Sequence, residues 1–222
     1  LLVDQLRLEL ERYASSYPEA AFAGEALYYA ASLEAESGRD AAAFGLAVRS
    51  AYVYPEGPRA RDAVRLLGRL LERNQRWAAD FEEATDLLAI PSTEARPSRD
   101  NRRLLGIQRI ARFPDAELRQ SALAEAKAFL ADYPGRELMP QALAVMANLL
   151  LMLDRDHEAA GYLAALVLGS PESDLWPEYT LRLAELYLGE LSDTERATIL
   201  LRALVEEAPQ SEAAARARAL LE

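Results

Sequence analysis

The chain has 222 residues, no cysteine, and 36 acidic against 25 basic residues, for a formal charge of −11 and a pI near 4.8. This excludes a disulfide framework, a thiol nucleophile and a cysteine-bound metal, and it opposes generic binding to nucleic acid or an anionic membrane. Hydrophobic residues make up 51% of the chain, many of them alanine and leucine, with no uncharged run of about 20 residues to span a bilayer.

Helices are therefore predicted throughout, and no sheet. Residues 1–16 place Leu2, Leu6, Leu10 and Tyr13 at helical spacing and stop at Tyr17-Pro18. They read as an N-terminal cap, or as the second helix of a hairpin. A start at Leu1-Leu2-Val3 suits a trimmed or processed chain, from which any signal peptide or lipid anchor could have been removed.

The first repeat (18–54) pairs a helix over 19–37 with one over 40–53, and Gly38 supplies the left-handed residue between them. The second (55–90) pairs 58–73 with 77–89. The third (91–133) opens on the turn 91–97, then has helices over 98–112 and 115–131 broken at Phe113-Pro114. The fourth (134–170) pairs 136–152 with a helix returning to residue 168. The fifth (171–208) pairs 175–188 with 194–208, and a short helix within 210–222 closes the series.

These boundaries follow from a period. Pro18, Pro55, Pro91, Pro134, Pro171 and Pro209 recur at intervals of 37, 36, 43, 37 and 38 residues. Twelve residues before each of the last five stands an alanine: Ala43, Ala79, Ala122, Ala159 and Ala197. A helix terminator and a small residue held in phase predict stacked antiparallel hairpins, the alanine lying where two helices cross closely. The predicted fold is all-α, one right-handed superhelical solenoid of about five hairpins plus flanking helices over 1–222.

The pattern resembles the tetratricopeptide repeat family. Ala184-Glu185-Leu186-Tyr187-Leu188-Gly189 followed by Ala197, Leu201, Leu204 and Pro209 carries it best, and Leu143, Ala147, Leu150, Ala159, Leu163 and Pro171 agree. Leu67 and Ile110 depart from it, standing where a small residue would allow close packing. The endings Tyr17-Pro18, Tyr54-Pro55, Phe113-Pro114 and Tyr133-Pro134 are similar to those of a subgroup from bacterial envelope proteins. That subgroup includes the outer-membrane-assembly lipoprotein and the Tol–Pal-associated coordinator. The resemblance implies a protein-binding scaffold without catalytic activity or cofactor, in the periplasm or cell envelope rather than the cytoplasm.

No catalytic constellation is predicted. His157 is the sole histidine and lies in the run Asp154-Arg155-Asp156-His157-Glu158, whose neighbours along one turn rarely converge on a single ion, so no metal is expected. No Gly-x-Ser-x-Gly elbow or glycine-rich phosphate loop occurs.

Charge is the sharper signal. Residues 59–76 carry six arginines against two acids, and 96–112 six against one, which leaves the rest of the chain at −20. Side-by-side first helices would make these stretches neighbours. Arg61, Arg65, Arg69 and Arg73 share one face of a helix, and Arg99, Arg102 and Arg103 would join them in an anion-selective strip. Solvation, or pairing with acids on adjacent helices, is the alternative reading of these arginines.

Tyr179 is expected to face the groove. Asn148 stands where a carboxylate-clamp asparagine would, but Ala144 occupies the expected lysine position, which disfavours docking of a chaperone C-terminus. The partner is thus expected to be a protein or peptide of acidic character. Two other expectations are an accessory region of a larger, peptidoglycan-cleaving enzyme, and a structural module that stacks into homo-oligomers.

Overall fold

The computed structural model describes residues 2–78, 98–133 and 137–222. All regular structure among these residues is helical: eleven α-helices and one 3₁₀ turn, with no strand. The helices are α1 (Leu2–Ser16), α2 (Ala23–Glu36), α3 (Asp40–Val53), α4 (Ala60–Arg73), α5 (Arg99–Ala111) and α6 (Ala116–Asp132). They continue with α7 (Met139–Leu151), α8 (Asp156–Gly169), α9 (Trp176–Leu188), α10 (Thr194–Glu207) and α11 (Glu212–Leu221). The chain divides into two compact units, Leu1–Tyr133 and Pro134–Glu222. Ala79, the greater part of the helix expected over 77–89 and the turn at 91–97 lie outside the described residues.

Local chemistry accounts for four helix starts and one turn. Ser98, Asp115, Asp193 and Ser211 each accept a backbone N–H of the first turn of the helix that follows, satisfying donors that have no partner within the helix. Gly38 takes φ +74° between α2 and α3, the left-handed conformation expected of it. Four alanines of the periodic column, Ala43, Ala122, Ala159 and Ala197, are fully buried.

The first unit is organised around α3. Every residue from 43 to 53 is buried: alanines, glycine and large apolar residues cover most of the circumference, and Arg49 and Ser50 are buried with them. It packs against α2, α4, α5 and α6. Phe44 meets Trp77 and Phe113 edge-on, with ring centroids 5.7 and 5.5 Å apart.

The expected adjacency of the two arginine-rich helices is corrected here. Rather than lying along α4, α5 packs on α3 and α6. Two close approaches make this possible. A β-carbon added at Gly45 would sit 2.6 Å from Ser121 Oγ of α6, and one added at Gly106 of α5 would sit 3.1 Å from Val48 of α3.

In the second unit successive helices pack in order, α7 on α8, α8 on α9, α9 on α10 and α10 on α11, and α9 also meets α11. The core is aliphatic: Ala144, Ala147, Leu163 and Leu166 pack with Tyr179 and Leu183, then Leu181, Ala184, Leu201 and Leu204 with Ala214 and Ala217. Trp176 donates its indole N–H to Val167 O at 3.1 Å, which pins the start of α9 to the end of α8.

Candidate functional site

The arginines of α4 lie on its outer face. Ala60, Ala63, Leu66, Leu67 and Leu70 are buried, so the four-residue spacing holds Arg61, Arg65, Arg69 and Arg73 at the surface. Arg65 pairs with Asp62, and Arg73 with Asp40 at 2.6 Å. Asp62 also receives Arg59 at 2.9 Å, and hydrogen bonds from Arg59 and then Arg65 hold its carboxyl below the ordinary range. Among the described residues, no carboxylate lies within ion-pair distance of Arg61 or Arg69.

Beside this face runs an open groove of about 420 Å³ between α2 and α4, lined by Tyr28, Ser32, Ala35, Glu36, Leu66, Arg69 and Arg73. Arg59 braces one wall. Its guanidinium donates to Tyr29 Oη at 3.1 Å and stands 5.8 and 5.6 Å from the centres of the Tyr28 and Tyr29 rings. A second open groove, of about 340 Å³ between α1 and α2, is lined by Leu6, Leu10, Tyr29, Ser32, Leu33 and Glu36.

The arginines of α5 are spent inside the first unit, so the single strip expected across both helices is corrected. Arg99 forks onto Glu19, with one contact at 2.9 Å, and its guanidinium lies 5.3 Å from the Tyr54 ring centre. The Glu19 carboxyl is pushed down by that bond. Arg102 donates to Val53 O at 3.1 Å. Arg103 is only 8% exposed and meets Asp132 at 2.8 Å and Glu125 at 3.7 Å. Arg49 of α3 approaches the same two carboxylates at 3.7 and 3.8 Å. Burial, with Arg49 adding like charge, pushes Arg103 below the usual guanidinium range.

In the second unit Asn148 and Tyr179 come together. Asn148 Nδ2 donates to Tyr179 Oη at 2.9 Å, and Arg182 donates to Asn148 Oδ1 at 2.7 Å. Tyr179 is buried rather than turned to a groove, because its ring packs with Ala144, Ala147 and Leu183. Arg182 escaped the sequence reading, although it stands one helical turn after Tyr179 on the same helix.

His157 is exposed at the start of α8, beside an Arg155–Glu158 pair whose closest contact is 2.6 Å. Among the described residues, no three His, Asp or Glu side chains are grouped to hold a metal ion, and no helix is long and apolar enough to cross a membrane. No protein-family model matches the chain, and no curated protein matches it either.

Proposed function

We propose that this chain is a non-enzymatic protein-interaction scaffold built of tetratricopeptide-like hairpins, and that it receives an acidic partner segment along α4. The hairpin period, the aromatic-proline endings and the resemblance they carry support a right-handed solenoid and a role in a bacterial cell envelope. The observation that carries the binding reading is Arg69. It lines an open groove and has no carboxylate within ion-pair distance among the described residues, in a protein whose net charge is −11. Arginine is suited to this task because its planar fork takes a carboxylate through two parallel hydrogen bonds.

Arg99, Arg102 and Arg103, each bonded within the first unit, are left out of the proposed surface, and so are Asn148 and Tyr179. Arg61, Arg65, Arg69 and Arg73 remain. Arg61 and Arg69 have the greater capacity, since Arg65 and Arg73 already hold Asp62 and Asp40.

Reversing Arg61 and Arg69 to glutamate tests the reading. Both side chains are exposed, so helicity and thermal midpoint should stay unchanged while affinity for an acidic partner falls by at least about tenfold. Affinity of the unaltered protein should also fall as salt rises. Undiminished binding by the reversed protein would defeat the proposal.

A further inference from the structure

Resting on that peptide-binding reading, we infer that the first unit recognises a two-part segment: an apolar run seated between α1 and α2, with carboxylates beyond it seated against α4. The two grooves are one surface, because Ser32 and Glu36 line both. Their other walls differ in chemistry. The α1–α2 part is walled by Leu6, Leu10, Leu33 and Tyr29, and Leu6 remains 53% exposed. Apolar side chains at a rim of this kind gain by being covered, and a partner's aliphatic or aromatic residues would do so.

The α2–α4 part ends in guanidinium groups. Arg69 and Arg73 line it, and Arg65 and Arg61 continue the same helix face toward the start of α4. Each part has the size of a cleft for several side chains, which favours a peptide over a lone anion.

The junction adds a rule of exclusion. Ser32 spends its hydroxyl proton on Tyr28 O at 3.0 Å. Glu36 stands exposed in the wall shared by the two grooves. Its carboxylate accepts N–H or O–H donors of a segment passing over it and repels a carboxylate placed there. An acidic residue is therefore demanded at the α4 end and rejected at the junction, so that one surface combines attraction with repulsion.

Selection of a displayed library of random 12-residue peptides against the intact chain, followed by fluorescence anisotropy of the enriched peptides, tests this. The expected winners carry an apolar block next to an acidic block. Their affinity should fall about tenfold with Leu6→Ser and about tenfold with Arg69→Glu, both exposed positions. It should be unchanged by Arg202→Ala in the second unit. A version with glutamate moved to the junction should bind weakly and recover with Glu36→Gln. Winners that are acidic only, and indifferent to Leu6→Ser, would overturn the two-part rule while leaving the acidic-partner reading intact. Winners indifferent to Arg69→Glu, or no enrichment at all, would overturn both.

Discussion

The two units place charge differently. Residues 1–133 hold 18 basic and 21 acidic side chains, and residues 134–222 hold 7 and 15. In the first unit charge enters the interior: Glu34, Arg49 and Arg103 are all buried, and two arginines share Glu125 and Asp132 among α3, α5 and α6. In the second unit no charged side chain is buried among the described residues, Thr180 and Tyr179 bring the buried hydroxyls, and the rest of the core is mostly leucine and alanine. Arginines that look alike in sequence thus have opposite roles. Those on α5 hold the first unit together, and those on α4 face solvent.

The largest test of this contrast is Arg103→Ala. Removing Arg103 from this buried cluster leaves Glu125 and Asp132 with only the longer Arg49 contacts, at 3.8 and 3.7 Å, at a cost of about 3–5 kcal/mol. Replacing Arg103 with methionine and Asp132 with leucine together should recover most of that, because no lone charge then remains at this pair. In the second unit a comparable loss requires removal of apolar volume: Leu163→Ala should cost about 2–5 kcal/mol. Urea denaturation of the three proteins measures this, and an Arg103→Ala cost below about 1 kcal/mol would break the contrast.

Glycine sharpens the comparison at smaller scale. Gly45→Val drives a branched side chain against Ser121 and should cost about 1–3 kcal/mol. Gly161 of α8 has nothing within 4 Å of where its β-carbon would lie, so Gly161→Ala should stabilise by up to about 1 kcal/mol. Opposite shifts in thermal midpoint are the expected result.

The smallest effect concerns Glu11. Burial raises its carboxyl pKa, with Arg7 opposing and Glu125 and Glu34 adding like charge. The folded state therefore keeps this proton longer than the unfolded state does. The stabilising contribution is fully present below the unfolded carboxylate range and is lost as pH rises through the folded value. Glu11→Gln should therefore stabilise the protein slightly near pH 7, and the gain should vanish near pH 3. A loss of stability at pH 7 would show that the Arg7 pair outweighs burial.

Helix positions were largely legible in the sequence, because prolines, caps and the alanine column act within a few residues. Gly38, Ala159 and Ala197 sit where their local chemistry asks. The docking of α5 and α6 was not legible, since it depends on Gly45 meeting Ser121 and Gly106 meeting Val48, contacts between residues more than 50 positions apart. Charge spacing located the α4 face but did not separate it from α5, where Arg103 looks as exposed in sequence as Arg69. Tyr179 was misjudged because an aromatic residue early in a helix fits a groove or a core equally well. Leu6 and Leu10 showed only helical spacing in the sequence, and the open groove beside them marks a surface.

The most direct measurement of the binding claim is amide chemical-shift mapping of the labelled protein titrated with a peptide that joins an apolar block to an acidic block. Shifts should fall on α1, α2 and α4 and be lost with Arg61→Glu and Arg69→Glu. Shifts on α5, α6 or the second unit that survive those two substitutions would contradict it.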